Sequence, residues 1–302
     1  MGRKRSPRYR SLQNRLAVVL LRGLGRLPWS VNRALGALAG GIMAVVPNPT
    51  RRVTRVNLAL CLPELTARER RRLTRRSLVE TGKGMLELAR LWRRPDEGLA
   101  RIRSVDGDAA LRSALDAGEP VVVLVPHLGC WEVLNFWLSH HFDFHALFNP
   151  SGLDRVDRLI QRGREHFGST MYPATGRGVA GLVRALRRGA LTAILPDQVP
   201  DRRGGRFAPF FGRPAWTGTL APRLIQQSGA RVFMARAERL PGQRGYAIAL
   251  REPDPAIYSE DLDTTLAGLN RSVEALIREL PEQYLWSYKR FRRMPDREQK
   301  PY

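Results

Sequence analysis

Two apolar stretches occupy residues 16–47. The first is broken by Arg22 and Arg26; the second, Ala34 to Val46, carries no charge but is only 13 residues long. A bilayer-spanning helix needs about 20 apolar residues, so 16–47 reads as helices lying in or dipping into an interface, not as a clean span. Residues 65–92 have a helical pattern, with six arginines from Arg68 to Arg76 read as a solvated face. Beyond them the pattern changes. Pro120 to Val125 (PVVVLV) is a short β-branched run and predicts a buried strand. Further strands are expected at 143–148, 190–195, 231–237 and 246–250. Helical patterns lie between them, at 130–141, 153–167, 176–188, 215–228 and 260–279. Strands alternating with helices argue for an α/β fold with helices on both faces of a sheet. No internal repeat or low-complexity tract interrupts it.

Composition narrows the class. A chain of 302 residues with 43% hydrophobic content suits one large domain, or one domain with an N-terminal extension, and excludes disorder. Cys61 and Cys130 are the two cysteines, too few for a disulfide framework, and a reducing compartment is the simpler reading. No Cys/His group has zinc-site spacing. The net charge of +23 points to anionic partners: nucleic acid, anionic lipid or an acidic carrier protein. Arginine supplies 47 of the 51 basic residues, a bias that a GC-rich genome would produce without selection for charge. Its placement says more than its total. The first 63 residues hold 12 Arg or Lys and no acid, including a tail with Arg3, Lys4, Arg5, Arg8, Arg10 and Arg15. Basic plus apolar is the composition of a membrane-surface segment. A signal peptide is the competing reading; the segment lacks an evident small-residue cleavage site and runs directly into structured sequence. Residues 1–47 are therefore set apart as a membrane-associating segment and 48–302 as the main α/β domain.

Chemistry is expected where the 121–125 strand runs into Pro126-His127-Leu128-Gly129-Cys130-Trp131-Glu132, because ligands and catalytic groups in open α/β sheets collect at carboxyl ends of strands. On one continuous helix His127 and Glu132 would lie about 140° apart. They meet if His127 sits on the turn and Glu132 folds back from the first helical turn. A carboxylate on one imidazole nitrogen fixes the tautomer, and the other nitrogen takes a proton. With no Ser beside the pair, direct transfer follows: the base removes a proton from an acceptor hydroxyl as that oxygen attacks an acyl donor. Two simpler readings stand beside this one. Cys130 at a helix start is either a covalent nucleophile or an inert buried residue. Glu132 can simply complement the helix dipole, with His127 a satisfied core residue.

Four ordered blocks then carry a likeness. His127-Leu-Gly-Cys-Trp-Glu132 resembles the H-x4-D/E motif of the glycerolipid acyltransferases, and its Glu resembles the late lipid A (lauroyl/myristoyl) branch. Leu195-Pro-Asp197-Gln198 with Phe210-Phe211-Gly212 and Thr217, Asn270 with Glu274, and Pro281-Glu-Gln-Tyr-Leu-Trp286-Ser-Tyr-Lys-Arg290-Phe291 are similar to later blocks of that branch. Asn57-Leu-Ala-Leu-Cys61-Leu-Pro63-Glu64 also resembles it, and the likeness covers about residues 25–293. It implies a glycerolipid-acyltransferase-like fold, a mixed central sheet flanked by helices, at the cytoplasmic face of a Gram-negative inner membrane. The donor it implies is an acyl carrier protein thioester or acyl-CoA, and the acceptor a phosphorylated, acylated glucosamine disaccharide. His127 would be the general base and Glu132 its partner; Arg164, Asp197, Gln198 and Gly212 would support the site or contact substrate. No metal or cofactor is expected of thioester transfer.

The residues themselves agree with this in part. Arg206 lies with Asp201, Arg202 and Arg203 in a segment rich in forks suited to phosphate, or else on a solvated loop. Phe210 and Phe211 line an acyl pocket or plain core. Residue types do not separate a lipid A precursor from a lysophospholipid, an ornithine lipid or another glycolipid. A nucleic-acid-binding protein, suggested by the charge, lacks any helix-turn-helix, zinc-finger or RNP-like motif. A membrane-peripheral structural protein on a degenerate acyltransferase fold is opposed by the His127–Glu132 motif.

Overall fold

The computed structural model describes residues 7–296, 301 and 302, with side chains from Asn14 onward. Arg3, Lys4 and Arg5 of the basic tail lie outside them. Five helices come first: α1 (Pro7–Leu24), α2 (Trp29–Val45), α3 (Pro49–Cys61), α4 (Ala67–Leu91) and the short α5 (Pro95–Leu99). Their starts are chemically specified. The Asn48 side chain accepts from the Arg51 amide ahead of Pro49, and Thr66 with Glu69 forms a capping box at α4. α2 and α4 approach closely because glycines face each other. A Cβ at Gly82 would stand 2.2 Å from the Gly36 carbonyl oxygen, and one at Gly40 would stand 2.4 Å from that of Leu78.

The α/β region follows: β1 (Ile102–Asp106), α6 (Asp108–Asp116), β2 (Val121–Leu124), α7 (Trp131–His141), β3 (Phe144–Phe148), α8 (Asp154–Arg164), β4 (Thr170–Pro173), α9 (Gly176–Leu186) and β5 (Leu191–Ile194). A hairpin of β6 (Gly205–Phe210) and β7 (Arg213–Gly218) precedes α10 (Leu220–Ser228), β8 (Arg231–Arg239), β9 (Tyr246–Arg251) and α11 (Leu262–Glu279). Seven strands form one sheet in the order β1-β9-β8-β2-β5-β3-β4, parallel at every pairing except β8 with β9, so the sheet is mixed. β2 is central and wholly buried. Its alternate side chains feed two cores: Val122 and Leu124 pack with residues of α9, α10 and α11, while Val121 and Val123 pack with residues of α6, α7 and β3.

All five expected strands are present. Residues 215–218, expected to open a helix, instead form β7, and the helix starts at Leu220. β1, β4 and the β6–β7 hairpin were not expected. β1 is an edge strand with a mostly polar, exposed pattern, β4 is a four-residue edge strand ending in proline, and the hairpin stands outside the main sheet. None of these carries the buried β-branched run that marks a central strand. No single described helix is long and apolar enough to cross a membrane; α2 and α3 together have the length and composition, but they meet at a bend of 74°.

Candidate active site

The site is built at the adjacent carboxyl ends of β2 and β5. The two strands pair in parallel with Leu124 opposite Ile194, and the Val125 amide donates to the Ile194 carbonyl at 2.9 Å. Three residues beyond each partner stand His127 and Asp197. Equal travel from a shared register brings together side chains 70 positions apart. The His127 ring Nδ1 lies 2.8 Å from Asp197 Oδ1, and the His127 backbone amide donates to Asp197 Oδ2 at 3.0 Å. Asp197 is 4% exposed. Burial alone would push its carboxyl up, but the His127 ring and the two hydrogen bonds hold it below the ordinary aspartate value. Tyr284, buried beside Asp197, has its phenol pushed up by burial and by that charge.

The 126–130 turn is pinned from three sides. The Gly129 amide donates to the Gln283 carbonyl, the Cys130 amide to the Ala237 carbonyl, and the Leu285 amide to the His127 carbonyl. Gly129 has φ +67°, and a Cβ there would stand 2.0 Å from the Ala237 oxygen, so this position requires glycine. The buried Arg239 guanidinium donates to the Gly129 carbonyl at 2.8 Å and to Glu87 at 2.5 Å, and Glu87 also accepts from the Tyr246 hydroxyl at 3.0 Å. The turn is thus backed by a buried, mutually satisfied charge pair.

Glu132 does not partner His127, which corrects the expected pairing. α7 begins at Trp131, whose ring lies edge-on to the imidazole at 5.0 Å. Glu132, about 100° further round the helix, faces α8. There Arg164 holds it through Nε at 3.2 and 3.1 Å and through Nη2 at 2.5 Å. Burial disfavours the Arg164 charge, but the Glu132 carboxylate outweighs this and raises the guanidinium above its ordinary value. Arg162, two residues earlier, is exposed. The carboxylate on the imidazole is that of Asp197.

Gln198 also reaches the site, its side-chain amide nitrogen 3.0 Å from His127 Nε2. With the amide donating, Nε2 is the unprotonated nitrogen and Nδ1–H is donated to Asp197. Arg206 and Gly212 are not brought to His127. Arg206 is exposed on β6 and pairs with Asp263 at 3.3 Å. Gly212, at φ +70°, forms the β6–β7 turn with Phe211, at φ +48°, as a type I′ turn demands. That hairpin is anchored by Arg290, which donates to the Trp216 carbonyl and to Thr217 Oγ1, each at 2.8 Å, and by Asn270, which donates to the Pro209 carbonyl at 2.8 Å. Phe210 is core. Cys130 is fully buried, and burial, reinforced by the Glu87 charge, pushes its thiol well above the ordinary range.

Two cavities meet at Trp131. One, about 60 Å³, is lined by Val125, Leu134, Leu138, Phe144 and Met171, with Glu132 and Arg164 also on its wall. The other, about 70 Å³, is lined by His127, Gly129, Glu80, Met85, Arg239 and Gln283. His127 stands at the second, and the Glu132–Arg164 pair at the first. Among the described residues no cluster of His, Cys, Asp and Glu could hold a metal ion.

Residues 3–293 match the family model of the bacterial lipid A biosynthesis acyltransferases. The chain is 26% identical over 272 residues to the lipid A biosynthesis lauroyltransferase of Escherichia coli K12, covering 90% of this chain and 88% of that one. It is 27% identical to the palmitoleoyltransferase of the same organism, over 89% of this chain and 88% of that one. It is 25% identical to the myristoyltransferase, over 99% and 92%. The resemblance read from four short blocks therefore extends over nearly the whole length, and this chain belongs to the bacterial lipid A biosynthesis acyltransferase family.

Proposed function

We propose that the protein transfers a fatty acyl group from a thioester donor, acyl carrier protein or coenzyme A, to a hydroxyl of a lipid A precursor at the cytoplasmic face of the inner membrane. His127 Nε2 removes the hydroxyl proton as the oxygen attacks the thioester carbonyl. The tetrahedral adduct collapses, the C–S bond breaks, and the imidazolium returns its proton to the leaving thiolate. Asp197 holds the reactive tautomer and stabilises the imidazolium. Gln198 occupies Nε2 until an acceptor hydroxyl displaces it. The cavity beyond Trp131 is apolar enough to receive the acyl chain and would have to widen to hold one. Glu132 and Arg164, neutralised as a pair on its wall, give that cavity one polar border.

The observation that carries this reading is the buried Asp197–His127 pair, with His127 lining a cavity, in a chain matched to the family along its length. Support for a membrane location comes from a row of exposed apolar residues on α2, Val31, Leu35, Leu38, Ile42 and Val45, together with Leu16, Val19 and Leu20 of α1. The test is acyl transfer by detergent-solubilised protein. It uses carrier-protein thioesters of several lengths and a phosphorylated, acylated glucosamine disaccharide, with His127→Ala in parallel. A product gaining one acyl chain, and a loss of about a hundredfold or more in the variant, is expected. Full rate in His127→Ala would refute the mechanism. Inactivity with that acceptor, but thiol release with a lysophospholipid, would move the acceptor and keep the chemistry.

A further inference from the structure

A groove of about 790 Å³ runs between α3 and the first turns of α4. Arg51, Arg52, Arg55, Arg70, Arg71 and Lys289 supply its side-chain charge, and no Asp or Glu lies among its described lining residues. The arrangement is unfavourable by itself. Arg51 and Arg55 stand four apart on one helix, a like-charge spacing that destabilises it, and Arg70 and Arg71 face them from α4. Two of the arginines are engaged: Arg51 donates to the Val45 carbonyl, and Arg70 to the carbonyls of Pro63 and Leu65. Arg52, Arg55 and Arg71 are exposed, and their side chains make no hydrogen bond or ion pair among the described residues. The arginine run read from sequence as one solvated face is therefore divided. Arg70 and Arg71 line this groove, while Arg72 and Arg76 line another depression beside Glu64 and Glu69.

The groove adjoins the exposed apolar face of α2. That face ends at Val45 and Val46, which are 73% and 51% exposed, and the next residues, Pro47 and Asn48, already line the groove. Asn48 fixes the corner by donating to the Met43 and Val46 carbonyls. Cationic forks next to an apolar stripe suit a ligand that carries phosphate and hydrocarbon in one molecule. An acidic protein helix would match the charge but leave the stripe uncovered. The groove is also tied to the site: Asn57 on α3 donates to the Trp286 and Tyr288 carbonyls, and the Tyr288 hydroxyl accepts from the Val199 amide, next to Gln198.

We propose that the α3–α4 groove binds the phosphate of a lipid headgroup through Arg52, Arg55 and Arg71, with α2 seated against the hydrocarbon. Two sources carry that chemistry, an anionic bilayer phospholipid and the phosphorylated acceptor itself, and the second rests on the function proposed above. The test compares the full-length wild type with an Arg52→Gln/Arg55→Gln/Arg71→Gln variant. A control, Arg177→Gln/Arg187→Gln/Arg188→Gln, loses the same charge around α9. All three are checked for unchanged melting. The first reading is partition onto phosphatidylcholine vesicles with and without phosphatidylglycerol. The second is the KM for the phosphorylated acceptor in uncharged detergent micelles.

Each basic residue at an anionic surface contributes about fivefold, so the groove variant is expected to lose roughly 100-fold in partition and the control far less. That result assigns the groove to bilayer phospholipid. Unchanged partition with a raised acceptor KM and an intact kcat assigns it to the acceptor phosphate. Equal losses in groove variant and control, or no change in either reading, overturn the proposal. A rise confined to the KM of a carrier-protein thioester overturns it in favour of an acidic protein. Vesicle partition needs no turnover, so an inactive protein that still shows the groove effect would refute the proposed function alone.

Discussion

Replacing Asp197 by Asn tests the central departure of this site from its sequence motif. The native carboxylate accepts twice, from the His127 ring at 2.8 Å and from the His127 backbone amide at 3.0 Å. An asparagine of the same shape offers one acceptor oxygen and one NH2. If the oxygen stays on the backbone amide, the NH2 faces Nδ1 and forces the proton onto Nε2, which then cannot act as base. If the oxygen stays on the ring, the backbone amide meets an NH2 and the turn is displaced. Either way the base is lost while the cavities remain. Loss of tautomer control in a histidine–aspartate pair costs up to about 10⁴ in kcat in the serine-protease case. Here a fall of about 10²–10⁴ in kcat with little change in KM is expected. Nitrogen NMR of the imidazole should show the proton moved to Nε2.

Stability supplies a second readout of the same change. Asp197 has its carboxyl held below its unfolded value, so its contribution is present above the ordinary aspartate range and is lost as pH falls through the lower folded value. Wild-type melting should therefore fall steeply below about pH 4, and that acid limb should flatten in Asp197→Asn. Asp197→Asn retaining activity within about threefold, while Glu132→Gln lost a hundredfold with a disturbed imidazole tautomer, would refute the assignment and restore the acid of the motif as the partner of His127.

Glu132→Gln is expected to leave the tautomer intact and to act on stability, because Arg164 loses its carboxylate partner. Breaking that buried but partly accessible pair should cost about 2–3 kcal/mol, read by denaturant unfolding. Cys130→Ala should keep the transfer rate within about threefold, because a fully buried thiol whose pKa burial drives upward is not the nucleophile; trapping a wild-type acyl-cysteine by mass spectrometry would contradict this. Gly129→Ala should lower kcat by about 10² or more, since its Cβ would meet the Ala237 carbonyl at 2.0 Å and the turn that carries His127 must move. Activity unchanged in Gly129→Ala would show that the pinned turn does not set the base's position.

Much of this protein is determined locally and was open to reading from the chain alone. Short apolar runs marked the five buried strands, the β-branched Val121–Val125 most plainly, because a strand covered on both faces has to be largely apolar. A strand followed by Pro126-His127 and Gly129 pointed to His127 as the proposed base. The apolar yet interrupted N-terminus read as interfacial helices, and no single described helix is long and apolar enough to cross a membrane. Asp197 and Gln198 were visible as candidates in their block, but their contact with His127 was not, although the two strands that position them had both been expected. Its signal lay in the strand register, Leu124 against Ile194 with three residues beyond each. Sequence gives strand extents but not which strands lie side by side. The tertiary structure alone decided that β5 neighbours β2, and hence that Asp197 rather than the nearer Glu132 orients the imidazole. It likewise divided the arginines, placing Arg164 on Glu132 and Arg239 under the 126–130 turn while leaving Arg52, Arg55 and Arg71 to solvent. A charge's role depends on its burial and its nearest opposite charge, both set by residues distant in the chain.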